Sequence, residues 1–354
     1  MNLWNKYQPT SARRHGRPGR EVRPQSITVD IHSHVAVPAA AAFVKPHLDP
    51  MKNAMILHAD EHTRALNRKQ EADIGPRITG YGPRLKDLDA MGIDFQLVMP
   101  PPPQCYYTVP LDVAVKAAQI VNDGIAEYVA GKPDRFAGLG SVPMPDGIEA
   151  AKELERCVGA LKLKGVQVLT NVNGLELSDP AFAPFWRKAE ELQALVVLHP
   201  LGFSEGKRLS RFSFNNTIGN PLDTTIALHY LIFDGVLERH PNLKILAVHG
   251  GGYLAAYSGR IDHSWGARSD AHGDLPHPPT SYLKKVYFDS VVFTAHQLAE
   301  LVRLYGADHI IMGTDYPFDM ADYDPIGHVA GVDSFDASTI AAIAGGNAKR
   351  LLGL

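Results

Sequence analysis

From Ile27 onward one unit repeats along the chain: a short β-branched or apolar run, a loop of Gly, Pro or His, and, after most runs, a segment with helical period. The runs are Ile27–Ile31, Phe95–Met99, Phe136–Leu139, Val166–Leu169, Leu195–Leu198, Lys244–Val248, Val286–Phe288 and His309–Met312. Helical periodicity follows in stretches such as Val113–Val129, Ile148–Leu161, Phe182–Leu192, Asp223–Glu238, Ala295–Leu304 and Ser338–Ile343. Continuously apolar strands need cover on both faces, and parallel strands flanked by helices supply it. The repetition therefore predicts an α/β chain: a (β/α)8 TIM barrel with an insertion after strand 1. A doubly wound open sheet has the same alternation, but no G-x-G-x-x-G opens the first unit to support a dinucleotide site.

Two stretches fall outside the repeat. Residues 1–25 carry Arg13, Arg14, Arg17, Arg20 and Arg23 among Gly and Pro with no apolar period, and are expected to be a basic mobile arm. The Arg13-Arg14 pair lacks the apolar stretch of an export signal. Residues of about 36–82 are too many for a simple loop and are expected to cover the mouth of a barrel spanning 26–354.

Charge and cysteine content narrow the partners. Lys+Arg 35 against Asp+Glu 38 leaves a net charge of −3, with no general field for nucleic acid or an anionic membrane. The two cysteines, Cys105 and Cys157, provide neither a disulfide framework nor a thiolate zinc site, and no apolar run reaches membrane-spanning length. A cytoplasmic protein with a small-molecule substrate is expected.

Placement of the 16 histidines carries the functional reading. His32 and His34 follow strand 1, His199 ends strand 5, His249 ends strand 6 and Asp315 follows strand 8. In a barrel those strand ends converge on one face. His32 and His34, two apart on extended chain, point to the same side and can chelate one ion. With His199 and Asp315 they make three imidazoles and a carboxylate, a donor set that suits Zn²⁺, with Mn²⁺ or Fe²⁺ as alternatives. A second ion would want a bridging ligand at the end of strand 4, where Val168-Leu169-Thr170 offers none and Lys164 lies at the wrong end, so one ion is expected.

His249 opens His249-Gly250-Gly251-Gly252; it is either a histidine packed where glycines admit a helix close to the sheet or a proton-transfer group at the rim. Asp315, before Tyr316-Pro317, is either a turn cap or a ligand and proton carrier. Arg260 is either an exposed helical arginine or a planar fork for a substrate carboxylate. Gly202-Phe203-Ser204-Glu205-Gly206 matches G-x-S-x-G, yet Ser204 leads into a polar loop and the glycine run follows it, the reverse of a serine-hydrolase arrangement.

From Val29 to Leu354 the chain resembles the amidohydrolase superfamily, in its aminocarboxymuconate-semialdehyde decarboxylase-like branch. The matching pieces are Asp30-Ile31-His32-Ser33-His34, Arg135-Phe136-Ala137-Gly138-Leu139-Gly140, Gly165-Val166-Gln167, Leu198-His199-Pro200, Ala247-Val248-His249-Gly250-Gly251-Gly252 with Gly259-Arg260-Ile261, Gly313-Thr314-Asp315-Tyr316-Pro317-Phe318 and Gly346-Asn347-Ala348. The resemblance implies that His32, His34, His199 and Asp315 ligate the metal. It makes His249 the acid/base and gives Arg260 a substrate carboxylate, in some relatives across a dimer interface. It implies a nonoxidative decarboxylase of an aromatic or enoic carboxylic acid, of hydroxybenzoate or muconate-semialdehyde type, active as a homodimer or higher homo-oligomer. A metal-dependent hydrolase or hydratase is the alternative, and a non-catalytic metal- or ligand-binding barrel a remote one. The branch's other substrate arginine has no clear counterpart; Arg68, Arg77 and Arg84 are the candidates.

Overall fold

The protein, seen in a computed structural model, is described over residues 19–354; Met1–Pro18, most of the expected arm, lies outside the described residues. Gly19–Val22 form one helical turn on the helix Pro325–Ala330, and the Gly19 N–H donates to Asp324 at 2.9 Å.

Among the described residues the barrel strands are β1 (Val29–His34), β2 (Phe95–Met99), β3 (Phe136–Gly138, resumed as Gly140–Ser141), β4 (Gly165–Leu169), β5 (Leu195–His199), β6 (Lys244–Ala247), β7 (Tyr287–Asp289) and β8 (Ile310–Ile311). Neighbours pair in parallel, in chain order. The ring closes where Ile31 N–H donates to Met312 C=O at 2.9 Å, Asp315 N–H to His32 C=O at 2.8 Å and His34 N–H to Tyr316 C=O at 2.8 Å. That closure excludes the open sheet and confirms the (β/α)8 barrel.

Side-chain alternation builds two apolar layers. Val29, Leu97, Leu195, Val197, Leu246 and Ile311 form one cluster, on the face that Leu195 and Val197 share with His199. Val98, Val166, Val168, Val196, Leu198, Ile245 and Phe288 belong to the other, packed with helices such as Leu111–Gly131 and Asn220–Phe233. Burial on both faces is why these strands read as unbroken apolar runs.

The insertion is helical: Pro38–Val44, Ala54–Leu57 and Glu61–Thr79 precede the helix Gly82–Met91 that returns to β2. Of the long helix Glu61–Thr79 only Ile74 and Ile78 are buried. The insertion fastens to the loop after β5: Asp60 N–H donates to Ser210 C=O at 3.0 Å, and Asn215 Nδ2 to Ala54 C=O at 2.7 Å. Among the described residues no helix is long and apolar enough to cross a membrane.

Candidate metal centre and substrate cavity

β1 delivers its histidines inside the strand rather than after it, since Val29–His34 extends past the expected Ile27–Ile31. Asp30 braces this segment: Oδ1 accepts from the N–H groups of His32 and Thr314, each at 3.0 Å, and Oδ2 accepts from Gln96 Nε2 at 2.7 Å and Thr314 Oγ1 at 2.6 Å. These bonds tie β1 to β2 and to the segment after β8, which carries Asp315. His199 closes β5 opposite Leu169 of β4.

Asp315 is the hub. Its Oδ1 lies 3.1 Å from His34 Nε2, 3.4 Å from His32 Nε2 and 4.0 Å from His199 Nε2, while Oδ2 lies 3.5 Å from His249 Nε2. Donor atoms of His32, His199, His249 and Asp315 all fall within 4.8 Å of one another, a group that includes His249 and leaves out His34, which meets Asp315 Oδ1 alone at 3.1 Å. His32 Nε2, His199 Nε2 and His249 Nδ1 are buried without a hydrogen-bond partner. Orphaned imidazole nitrogens beside a carboxylate, as His32 Nε2 and His199 Nε2 are beside Asp315, are costly unless something binds them, and a divalent ion fits that donor set.

Electrostatics favour the same use. Burial pushes His199 down to about 3 and also lowers His34, so both rings are neutral at physiological pH and free to offer a nitrogen lone pair. Burial likewise opposes charge on His32, yet the Asp315 and Asp289 carboxylates outweigh it and raise its pKa. Burial opposes ionisation of Asp315, but the surrounding imidazoles hold its carboxyl well below the usual range. Each ring is also fixed from behind: His32 Nδ1 faces Asp289 Oδ2 at 2.7 Å, His34 Nδ1 faces Pro100 C=O at 3.2 Å and His199 Nδ1 faces Pro200 C=O at 2.8 Å. Asp289 escaped the sequence reading because the expected strand stopped at Phe288, one residue short; its place at the C-terminal end of β7 was the available signal.

His249 and Asp315 both adopt left-handed backbone, with φ of 55° and 63°. The three glycines after His249 are required by space. A Cβ on Gly250 would come 2.3 Å from Val292, on Gly251 2.5 Å from Phe288 and on Gly252 2.3 Å from Pro221 C=O. Close packing and a rim position are thus both true of this motif.

Beside the centre lies a cavity of about 740 Å³. Leu169, Thr170, Leu201 and Gly202 from the ends of β4 and β5 form one side, Cys105 to Val109 a second, and insertion residues including Leu48, Pro50, Lys52 and Ile56 a third. Lys52 is the only cation on that wall among the described residues. The expected arginines lie elsewhere. Arg84 is fully buried and donates to His34 C=O and, at 2.6 Å, to Gln96 Oε1, so it braces β1 against β2. Arg77 pairs with Asp87 at 2.8 Å and Arg68 with Glu61 at 2.7 Å, both away from the cavity. Arg260 is exposed on the helix Leu254–Ala267, outside the cavity wall. Ser204 is exposed in its loop, and the nearby His58 ring contacts its carbonyl rather than its hydroxyl.

The amidohydrolase family profile matches residues 29–354. The chain belongs to the amidohydrolase family. This amidohydrolase is 36% identical over 272 residues to the 2-amino-3-carboxymuconate-6-semialdehyde decarboxylase of Dictyostelium discoideum, covering 77% of this chain and 76% of that protein, which places it in the same branch. The structure of the 5-carboxyvanillate decarboxylase of Sphingomonas paucimobilis superposes with a TM-score of 0.83 at 25% identity, covering 93% of this chain and 99% of that one. The 5-carboxyvanillate decarboxylase of Novosphingobium aromaticivorans, complexed with manganese, has a TM-score of 0.82 at 23% identity, covering 93% and 97%, and shows the shared fold.

Proposed function

We propose that this amidohydrolase is a metal-dependent nonoxidative decarboxylase of an aromatic or enoic carboxylic acid, of hydroxybenzoate or muconate-semialdehyde type. The observation that carries the reading is the convergence of buried imidazole and carboxylate donors within 4.8 Å beside a cavity of about 740 Å³, a size suited to a monocyclic acid. The decarboxylases of Dictyostelium discoideum and Sphingomonas paucimobilis support it. His32, His34, His199 and Asp315 would hold one Zn²⁺, with Mn²⁺ or Fe²⁺ as alternatives. When bound, the ion supplies a Lewis acid for a substrate oxygen.

The chain's own residues handle the proton. Breaking the C–C bond to the carboxylate releases CO₂ and leaves an electron pair on carbon, which must end in a new C–H bond. His249, with Nε2 3.5 Å from Asp315 Oδ2, is assigned to deliver that proton, and Asp315 to stabilise the imidazolium. Arg260 is assigned to the substrate carboxylate. Its exposed place outside the cavity wall means that this role needs a second copy of the chain, so the working form is a homodimer or higher homo-oligomer. A cytoplasmic location fits the two buried, unbridged cysteines.

The test is His249→Asn. It should retain metal and lower kcat for CO₂ release by about 10²–10⁴. Metal loss together with activity would move His249 into the ligand set instead. Mixing an Arg260→Ala variant with an Asp315→Asn variant should restore part of the activity, because some mixed oligomers would contain one intact site; no recovery would confine each site to one chain.

A further inference from the structure

Away from the metal centre the cavity wall holds one buried carboxylate. Asp223 lies in the first turn of the helix Asn220–Phe233 and is 8% exposed. Its Oδ2 accepts a hydrogen bond from Thr170 Oγ1, just past the end of β4; its Oδ1 has no hydrogen-bond partner and the residue makes no ion pair among the described residues. The surroundings do not explain a charge there. Tyr107, Leu169, Leu201 and Gly202 share the wall, and burial pushes the Asp223 carboxyl up to about 6, so near neutral pH it is mostly ionised.

A tie between helix and strand needs one oxygen, and Thr170 already uses it. A second oxygen left free on a cavity wall is a preorganised acceptor open to a donor that enters the cavity. We infer that Asp223 is a specificity-determining residue: its free oxygen accepts a hydrogen bond from a hydroxyl or amino group that the substrate carries away from the metal-facing carboxylate. The inference rests on the reading above that this cavity takes the substrate. It adds a polar selection rule to a largely apolar pocket: a substrate with an apolar group at that point displaces water from the carboxylate without replacing its hydrogen bond.

The experiment measures binding, not turnover, so that it separates from the decarboxylase reading. Metal-loaded protein is titrated calorimetrically with matched pairs, 3- and 4-hydroxybenzenesulfonate against the corresponding methoxybenzenesulfonates, in which the sulfonate replaces the carboxylate and cannot leave as CO₂. Wild type should bind the hydroxy member of at least one pair about tenfold or more tightly. Asp223→Asn, which keeps the shape and the Thr170 bond but presents an N–H, should erase or invert that preference with metal content and Tm retained. A purely structural Asp223 would shift Tm and leave the preference alone. Equal affinity within every pair, no binding of any pair, or a preference that survives Asp223→Asn overturns the inference. If the Asn variant does not fold, Asp223→Ser is used, and the wild-type preference still decides. Absence of CO₂ release from every acid, with the binding preference intact, would sink only the decarboxylase reading.

Discussion

The metal centre and the insertion that walls part of the neighbouring cavity are built on opposite principles. At the centre, His32 and His34 are fully buried, and bonds from Asp30 within β1, from Asp289 of β7 and from Arg84 of the helix Gly82–Met91 hold them. In the insertion, the long helix buries only Ile74 and Ile78, and the attachment to the barrel runs through a few bonds such as Asn215 to Ala54. The contrast separates chemistry from selection. The groups assigned to the chemistry sit on strand ends whose positions the whole barrel determines, whereas one side of the cavity proposed to take the rest of the substrate rests on a surface layer free to vary.

The sharpest way to break this contrast is at the centre. Asp289→Asn removes the carboxylate behind His32 while leaving every proposed ligand in place. It should weaken metal affinity by about 10–100-fold, read by competition with a chelator. Unchanged affinity would mean that the ring is held well enough by packing alone.

Asp223 sharpens the comparison on the cavity side through pH. Its folded pKa, about 6, lies above the ordinary 3.8, so its protonated form favours folding; that stability is fully present below about pH 4 and is lost as pH rises through about 6. The Asn variant lacks this titration. Its stability relative to wild type should rise by on the order of 2 kcal/mol between pH 4 and pH 7, measured by denaturant unfolding. A gap that is flat with pH would place the carboxyl in contact with solvent or a cation.

The smallest effect belongs to the insertion. Asn215→Ala deletes the donor to Ala54 and the acceptor for Phe203 N–H, and should cost about 1 kcal/mol of stability while raising KM severalfold. Metal content should not move. A loss of metal would show that the two regions are coupled.

The same contrast explains what was legible in the sequence. His32, His34, His199, His249 and Asp315 were readable because each stands at or just beyond an apolar run, and a closed barrel turns that one-dimensional position into proximity. Asp289 was lost to a one-residue error at a strand end, where periodicity is weakest. Arg84 misled because a basic residue in an insertion looks solvent-facing until its partners, the His34 carbonyl and Gln96 from distant segments, are seen. Asp223 opens no motif. Its meaning comes from Thr170, 53 residues away, and from a cavity that exists only once the insertion is folded over the rim.

The buried imidazoles and Asp315 are proposed to serve metal-dependent loss of CO₂. The most direct measurement is CO₂ release from a panel of hydroxybenzoates and muconate-type semialdehyde acids, by metal-loaded wild type, by chelator-treated protein and by His199→Ala. One CO₂ should be released per molecule of acid consumed by the loaded wild type, with loss on chelation, recovery on adding Zn²⁺ or Mn²⁺, and a His199→Ala variant that neither retains metal nor turns over. Consumption of an acid by net addition of water without CO₂, or CO₂ release that persists after complete metal removal, would contradict it.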